Sequence, residues 1–453
     1  MRFLFFIWFN LVAISLWGQS VESLTVGQLQ ADLDGLKEGL ETYNPAMYAY
    51  HPKVEFEQRI ATLKANITRP IDAVEWYKIL CLATAGAYEG HITIGTAEDD
   101  FFKGFLKGDF KSLPLSLQCL GERAYVWHNL SRKDALERGD ELLTINGQSI
   151  ASIRQQIFQH TASDAGIETF KQKRYSNEFA ARYFWFVERP DSFQITYKKH
   201  GEERIRTVVL EALTRSEMSQ WSIKRQYKST RFLGIDKVYR LSIDKDVAQL
   251  TLRSFDEAII KENDITAYAF YEGIFQRLRR NRVKHVIIDV RNNIGGLKAF
   301  GDELLPFLLK KNQKGVFREL ESWNGELSQA TFPKRSRWAF KGQLYILVNG
   351  GTYSTAAHIA KYAKEFADAI TIGEEAGSRY EGFAAGTYHQ ITLPYSQTKI
   401  MVPNKWVKNI ISEKQQTKNR GLLPDYEVQP TIDDLLNNKD VVREKALALI
   451  REK

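Results

Sequence analysis

Cysteine is scarce in this chain, since its 453 residues contain only Cys81 and Cys119. One disulfide between them is possible in an oxidising compartment, but two buried thiols fit equally well because both residues lie in apolar sequence. No motif typical of cysteine catalysis surrounds either residue, and the eight histidines form no metal-ligand cluster in the sequence. The sequence therefore favours neither a thiol enzyme nor a metalloenzyme, and it predicts no cofactor.

The chain also lacks a block of charge of one sign. Its 63 basic and 55 acidic residues give a formal charge of +8, and they are spread along the whole length. No nucleic-acid-binding module or basic stripe accompanies this charge, so we expect no nucleic-acid partner. The length and the 43% of apolar residues are typical of two or three globular domains with real cores.

Long apolar runs are absent after the first residues. Residues 3–17 are almost entirely apolar, follow Arg2, and end in the small and polar residues 18–20. This pattern predicts a secretory signal peptide at residues 1–19. The run is shorter than the ~20 residues that span a bilayer, and Asn10 interrupts it. We therefore expect export to the periplasm or secretion, without stable insertion in a membrane after the signal is removed.

Hydrophobic patterns divide the remaining chain into segments. Leucines recur every three or four residues from Leu29 to Leu40, which predicts a helical N-terminal domain at residues 22–111. Short strands and an Asn146-Gly147 hairpin turn predict a β-rich domain at 112–215, with a polar insertion near residues 160–173. A larger domain is expected at 220–440, followed by a C-terminal helix at 441–453.

The larger domain is typical of an α/β fold. Apolar runs in "VAQLTLRSF", "VKHVIIDV", "QLYILVNG" and "AITIG" alternate with helical patterns, which indicates a largely parallel sheet covered on its faces. Functional sites of such sheets lie at the carboxyl ends of the strands. Two glycine-rich turns, "RNNIGG" and "NGGTYS", follow predicted strands there.

Ser354 stands where the second of these turns becomes a helix. Backbone N–H groups at a helix start are unpaired and favour negative charge, so a serine there is suited to act as a nucleophile. The alternative is that its hydroxyl caps the helix, a common role for serine at that position. The nucleophile motif of the α/β-hydrolases, G-x-S-x-G, is absent because Thr352 and Ala356 occupy the glycine positions.

Several motifs together resemble a known family. "RGDELLTINGQSI" is similar to the second half of a PDZ domain, and "VIIDVRNNIGG", "YILVNGGTYSTAAHIA", "IGEEAGS" and "GLLPDYEVQPT" follow in the order used by tail-specific (C-terminal processing) serine peptidases. The resemblance implies a multidomain α/β protein with an N-terminal helical segment, a PDZ-like domain and a catalytic core like that of crotonase or ClpP. It also implies a serine endopeptidase that acts on extended polypeptides, with the PDZ-like domain either presenting substrate tails or serving as a rigid spacer.

The resemblance assigns roles to particular residues. It places the nucleophile on Ser354 and the oxyanion-binding amides at Gly295, Gly296 and Thr355. One branch of the family uses a lysine as general base, but Arg379 stands at about that position, and its guanidinium does not accept a proton near neutrality. The branch that resembles the tricorn core uses a histidine, which implies His91 as the base.

Some expected residues of that branch differ here. Gly90 replaces the serine before the histidine, and Lys418 replaces a late glutamate. Glu374 or Glu375 is a candidate for orienting the histidine instead, and His358 is a weaker candidate base one helical turn after Ser354. These differences leave open a catalytically inactive, peptide-binding or scaffolding homologue, and the oligomeric state stays undetermined.

Overall fold

The computed structural model describes residues 21–95, 110–227, 239–255, 265–410 and 418–452. The expected signal peptide at residues 1–19 lies outside the described residues. None of the helices within these ranges is both long enough and apolar enough to cross a bilayer.

The N-terminal segment is helical, as its leucine spacing predicts. Its helices are α1 (Val26–Tyr43), α2 (Lys53–Asn66) and α3 (Ala73–Ala85). Capping boxes begin α1 at Thr25 and α3 at Asp72, because each side chain accepts a hydrogen bond from the first turn. The leucine face of α1 packs into one core with Leu393, Ile400 and Val402 from the far end of the chain. The helices therefore share their core with the C-terminal half rather than forming one of their own.

The second unit is built on an antiparallel sheet. Its strand order is β2-β3-β4-β6-β7, and β5 pairs with β4. Asn146 and Gly147 have φ of 48° and 80° and connect β4 to β5, in agreement with the predicted hairpin turn. The strands are β2 (Leu115–Leu120), β3 (Arg123–Asn129), β4 (Glu141–Ile145), β5 (Gln148–Ser149), β6 (Ser192–Lys198) and β7 (Ile205–Glu211). The helices are α4 (Ile150–Gln159), α5 (Glu168–Asn177), α6 (Phe179–Phe186) and α7 (Arg215–Lys224).

Helix α5 covers part of the free edge of β2. The N–H of Cys119 donates to Oγ of Ser176 at 2.9 Å, and Nε2 of Gln172 donates to the carbonyl oxygen of Cys119 at 3.2 Å. The polar insertion thus contains a helix whose side chains satisfy backbone groups of the edge strand. Both cysteines are buried and unpaired.

The third unit contains the parallel sheet that the apolar runs predict. Its order is β17-β14-β13-β10-β9-β8, and only the β8–β9 pair is antiparallel. The strands are β8 (Tyr239–Asp244), β9 (Val247–Leu252), β10 (His285–Asp289), β13 (Gln343–Val348), β14 (Ile370–Gly373) and β17 (Tyr426–Glu427). The helices are α8 (Ala267–Arg280), α9 (Lys298–Asp302), α10 (Leu305–Leu308), α11 (Thr355–Ala367), α12 (Ile432–Leu436) and α13 (Val441–Arg451).

A second, antiparallel sheet in this half of the chain was not predicted. It runs β1-β16-β11-β12, and β15 also pairs with β16. Its strands are β1 (Thr93–Gly95), β11 (Val316–Ser322), β12 (Leu327–Thr331), β15 (Gly382–Thr392) and β16 (Lys399–Asn409). Pairing of β1 with β16 brings the preceding turn, which contains His91, next to the α/β unit. Strand β1 begins two residues after His91.

Candidate active site

Ser354 lies at the corner between β13 and α11 in a backbone conformation that L-residues rarely adopt. Its φ and ψ are 54° and −125°. A strained conformation of this kind costs about 1–3 kcal/mol and persists only where its surroundings enforce it. The N–H of Ser354 donates to Oγ of the buried Ser378 at 2.7 Å, which helps to fix the corner.

The hydroxyl of Ser354 does not cap the helix. Although Ser354 is the N-cap residue of α11, its side chain accepts no hydrogen bond from the first turn. The residue is half-buried, and no hydrogen bond involving Oγ links it to another described residue. The capping role that the sequence left open is therefore not observed, and the oxygen is available to react.

Two backbone N–H groups beside Ser354 are free to receive negative charge. In the described part of the chain, the N–H groups of Gly296 and Thr355 have no acceptor, whereas that of Gly295 donates to Oδ1 of Asn293 at 2.9 Å. The hydroxyl of Thr355 donates to the carbonyl oxygen of Gly296 at 3.0 Å and ties the two segments together. A tetrahedral oxyanion near Ser354 is stabilised by donors of this kind.

Gly295 provides space rather than a donor. Its φ is 98°, and a Cβ at this position would lie 2.8 Å from Cβ of Ser354 and 3.0 Å from the nitrogen of Thr355. Any side chain here would collide with the corner that holds Ser354. The glycine-rich turn after β10 therefore packs directly against Ser354.

His91 is held close to this corner. Its ring is stacked against Tyr353, at 4.6 Å between centroids, and against Phe383, at 5.0 Å. Its Nδ1 lies 2.9 Å from the hydroxyl of Tyr353 and 3.1 Å from Oε1 of Glu89, while its Nε2 is buried without a hydrogen-bond partner. No hydrogen bond joins His91 to Ser354 among the described residues. The structure thus places His91 in contact with Tyr353, the residue immediately before Ser354.

Two buried carboxylates surround the other side of His91. Glu89 is 1% exposed, and its Oε2 accepts a hydrogen bond from the N–H of Ala384 at 2.8 Å. Asp164 is fully buried, and its Oδ1 accepts from the N–H of Gly90 at 2.9 Å and from the Tyr353 hydroxyl at 3.0 Å. Neither carboxylate was predicted as part of the site.

The same geometry explains Gly90, one of the departures from the family pattern. A Cβ at Gly90 would lie 2.5 Å from the hydroxyl oxygen of Tyr353 and 3.0 Å from Oδ1 of Asp164. A serine there would displace the contact between these two side chains. The glycine therefore makes room for the network that holds His91.

Burial and mutual charge shift the proton affinities of this cluster. Burial raises the pKa of Glu89 from its ordinary value of 4.5 to about 7, and the neighbouring Asp164 adds to the rise. Burial lowers the pKa of His91, but its hydrogen bond to Glu89 and the charge of Asp164 outweigh this effect, so that the pKa lies above the ordinary 6.5.

The cluster of Glu89, His91 and Asp164 also has the geometry of a metal site. One ligand atom from each of the three residues lies within 4.8 Å of the others. However, these atoms already take part in hydrogen bonds to one another, to Tyr353 or to backbone N–H groups. The donors therefore fit a protein hydrogen-bond network rather than a metal site.

The other candidate residues lie away from His91. Glu375 pairs with Arg420 at 2.8 Å and accepts the N–H of Gly421, whereas Glu374 faces a cavity on another side of the β13–α11 loop. The structure thus gives neither of them a contact with His91. His358 is buried and stacked on Phe383 at 4.6 Å, and burial, with the charge of Lys361, holds its pKa well below the ordinary value.

Arg379, at about the position of the family lysine, has a structural role. Its guanidinium lies 3.0 Å from the ring centroid of Tyr50, and its Nε donates to the carbonyl oxygen of Gly382 at 2.9 Å. Of the residues that the sequence analysis missed, Glu89 precedes His91 by two positions and had a local signal. Asp164 and Ser378 reach the site only through the fold.

Comparisons with known proteins agree with this architecture. Residues 246–428 match Peptidase family S41, whereas no curated protein matches the chain. Mature CPAF complexed with lactacystin has a TM-score of 0.67 at 13% identity, over 94% of this chain and 97% of that chain. A putative peptidase from Parabacteroides merdae has a TM-score of 0.50 at 13% identity, over 94% and 96%. At such low identity these structures show the fold alone. The match to Peptidase family S41 at residues 246–428 therefore agrees with the order of motifs that resembles the tail-specific serine peptidases.

Proposed function

We propose that this chain is an exported serine endopeptidase that cleaves extended polypeptides through an acyl-enzyme on Ser354. One observation carries the proposal: a strained Ser354, with an uncommitted hydroxyl, stands beside two unpaired N–H groups, those of Gly296 and Thr355. Strain at a single residue is typical of functional sites, and unpaired amides at a helix start favour a developing negative charge.

His91 acts as the general base in this proposal. Its Nδ1–H donates to Glu89, which leaves the lone pair on Nε2 to accept the proton of the serine hydroxyl. Oγ of Ser354 then bonds to the scissile carbonyl carbon, whose oxygen takes the negative charge near Gly296 and Thr355. The imidazolium returns the proton to the leaving amine, and water hydrolyses the ester by the same steps. For this chemistry the ring of His91 must move from its contact with Tyr353 to the hydroxyl of Ser354.

Glu89 takes the orienting role that the sequence analysis gave to Glu374 or Glu375. Its two oxygens are fixed by His91 and by the N–H of Ala384, so the carboxylate has little freedom to turn. A buried carboxylate at Nδ1 selects the tautomer in which Nε2 is the acceptor and stabilises the imidazolium that forms. Its charge compensates for the absence of a glutamate at position 418.

In this proposal the PDZ-like unit serves as a spacer and does not bind peptide at the part of the β2 edge that α5 covers. Backbone groups of Cys119 already bond to Gln172 and Ser176, so a peptide cannot add to the sheet at that point without displacing α5. The polypeptide substrate is therefore expected to reach Ser354 without pairing to this part of the edge.

A second candidate function is a catalytically inactive, peptide-binding homologue. It is favoured by the absence of a hydrogen bond between His91 and Ser354 among the described residues, and by Arg379 at the position of the family lysine. This protein would bind denatured polypeptides without cutting them.

A serine-directed fluorophosphonate distinguishes the two functions. The peptidase is expected to be labelled, to lose the label in Ser354→Ala, and to hydrolyse denatured casein at a rate that this substitution abolishes. Binding of casein without labelling or hydrolysis would support the inactive homologue instead. Export is tested separately by N-terminal sequencing of the protein secreted from a bacterial host. Cleavage near residue 19 supports export, and retention of Met1 inside the cell contradicts it.

A further inference from the structure

A cavity of about 500 Å³ separates the PDZ-like unit from the parallel sheet. One face of α5, from Thr169 to Ser176, forms one wall. The opposite wall consists of residues at the carboxyl ends of β10, β13 and β14 and at the start of α13. We call this space the interdomain cavity. Ligands of open α/β sheets bind at this end of the strands.

The cavity is distinct from the site at Ser354. Ser354, His91 and Gly295 do not line it. The β13–α11 loop separates the two, because a Cβ at Gly350 would lie 2.1 Å from the carbonyl oxygen of Thr169 in the cavity wall. A ligand in the interdomain cavity would therefore lie behind the loop that presents Ser354.

Two ionisable side chains of opposite sign face this space without a hydrogen bond or a close ion pair to the described part of the chain. Lys173 on α5 and Glu374 at the end of β14 both line the cavity, and neither forms a hydrogen bond or ion pair with another residue in the described part of the chain. Burial lowers the pKa of Lys173 and raises that of Glu374, and the attraction between the two side chains offsets this effect only in part. Oγ1 of Thr169, on the same face of α5, is also buried without a hydrogen-bond partner.

The other charges of the cavity already neutralise one another. Arg291 is bonded to Asp289 and Asp440 at 2.7–2.9 Å, and Arg253 donates to the carbonyl oxygen of Arg291 at 2.8 Å. These groups form the rigid frame of the wall. Lys173 and Glu374 are therefore the two side chains with which a charged ligand can form ion pairs.

We propose that the interdomain cavity binds a short peptide with free termini, whose carboxylate pairs with Lys173 and whose ammonium pairs with Glu374. Opposite charges at the two ends match one unpaired base and one unpaired acid, which no simple anion or cation does. The apolar part of the lining, which includes Leu120, Val348, Val428 and Val442, suits aliphatic side chains. Short peptides of this kind are the products that a peptidase releases.

Calorimetric titration of the full chain with leucyl-leucine tests the proposal. Ser354→Ala serves as the background, so that binding is measured without turnover and does not depend on the role of Ser354. We expect saturable binding of leucyl-leucine, and binding at least about tenfold weaker for N-acetyl-leucyl-leucine and for leucyl-leucine amide, which each lack one charge. No saturable binding below about 20 mM would overturn the proposal.

Two substitutions assign the two ends of the peptide. Lys173→Met is expected to weaken the binding of leucyl-leucine to the level of leucyl-leucine amide and to leave the affinity for the amide unchanged. Glu374→Gln is expected to weaken the binding of leucyl-leucine to the level of N-acetyl-leucyl-leucine and to leave the affinity for the acetylated peptide unchanged. Lys171→Met and Glu375→Gln are the matched controls, because Lys171 donates to the carbonyl oxygen of Phe158 and Glu375 pairs with Arg420. Equal losses of affinity for leucyl-leucine in the controls and in the cavity variants would contradict the assignment of the two peptide ends to Lys173 and Glu374.

Discussion

The hydroxyl of Tyr353 lies 2.9 Å from Nδ1 of His91 and 3.0 Å from Oδ1 of Asp164. The residue immediately before the candidate nucleophile therefore contacts the candidate base, and it does so with a group that also binds a buried carboxylate. Phe170 of α5 also stacks on the Tyr353 ring, at 4.3 Å between centroids. The position of His91 thus depends on one tyrosine whose ring and hydroxyl are both held.

Tyr353→Phe separates these two functions of the tyrosine. The ring and its stacking remain, but Asp164 loses its donor, so we expect the free energy of unfolding to fall by about 1–3 kcal/mol. The carboxylate charge near His91 becomes less compensated, which raises the pKa of the imidazole further and moves the acid limb of kcat/KM to higher pH. Urea unfolding and a pH–rate profile measure the two effects. An unchanged profile would show that the hydroxyl does not influence the base.

Glu89→Gln tests the orienting role of the buried carboxylate. The amide keeps the shape but loses the charge that stabilises the imidazolium, so kcat is expected to fall by about 100- to 10,000-fold while KM changes little. The pKa of His91 should fall at the same time, because burial is then opposed by Asp164 alone. Casein hydrolysis from pH 5 to pH 9 provides both values.

Glu375→Gln is the comparison for this variant. Glu375 pairs with Arg420 away from His91, so its pH profile should match that of the wild type. A large loss of kcat in Glu375→Gln together with a small loss of kcat in Glu89→Gln would show that Glu375, one of the two candidates from the sequence, orients the histidine.

The raised pKa of Glu89 also predicts how stability depends on pH. Its pKa is about 7 in the folded protein against an ordinary value of 4.5, so the folded state holds more protons than the unfolded state within this range. The contribution of Glu89 to stability is therefore fully present below pH 4.5 and is lost as the pH rises to 7 and above. His91 acts in the same direction, since its raised pKa gives stability that is lost when the pH rises through the folded value.

Urea unfolding of the wild type and Glu89→Gln at pH 5 and pH 8 measures this dependence. Other groups contribute equally to both proteins, so the difference between them isolates the titration of Glu89 and the residues coupled to it. We expect the wild type to lose stability relative to Glu89→Gln on going from pH 5 to pH 8. A difference that is independent of pH would mean that Glu89 titrates normally.

The parallel sheet could be predicted because its information is local. Four of its strands are apolar runs bounded by polar or glycine-rich turns, namely β9, β10, β13 and β14. A strand that is buried on both faces of a sheet can be recognised from such a continuous apolar run. The corner at Ser354 was predicted for the same reason, since the glycines and the helix pattern that flank it lie within a few residues of each other.

The antiparallel sheet could not be predicted in this way. Strand β15 contains Ala384, Ala385 and Gly386, and its pairing with β16 is irregular between Ala385 and Tyr388, so alternation in the sequence is weak. Ile391 of β15 packs into the core of helix α1, and its partner strand β16 also pairs with β1, both from the other end of the chain. Such contacts are decided by tertiary packing and have no local signal.

The surroundings of His91 show the same limit. Glu89 lies two residues earlier, and its presence in "EGH" was a usable indication. Asp164 lies in the insertion of the second unit and meets His91 only because that unit docks on the turn before β1. Burial of His91 lowers the pKa of the imidazole, and the hydrogen bond to Glu89 and the charge of Asp164 raise it, a balance that no sequence pattern encodes.

Gly295→Ala provides the most direct test of the Ser354 corner. Alanine would place a Cβ 2.8 Å from Cβ of Ser354 and 3.0 Å from the Thr355 nitrogen, so the serine and its neighbouring donor must move apart. We expect kcat/KM to fall by at least about 100-fold, as when an oxyanion donor is removed. Gly325→Ala is the matched control, since Gly325 has a φ of 82° but open space around its Cβ position. Both variants should lose stability in urea, because both force alanine into a left-handed backbone, and Gly295→Ala should lose more because its Cβ also collides with the Ser354 corner. Only Gly295→Ala should lose fluorophosphonate labelling. Full labelling of Gly295→Ala would mean that the glycine turn does not shape the site of reaction.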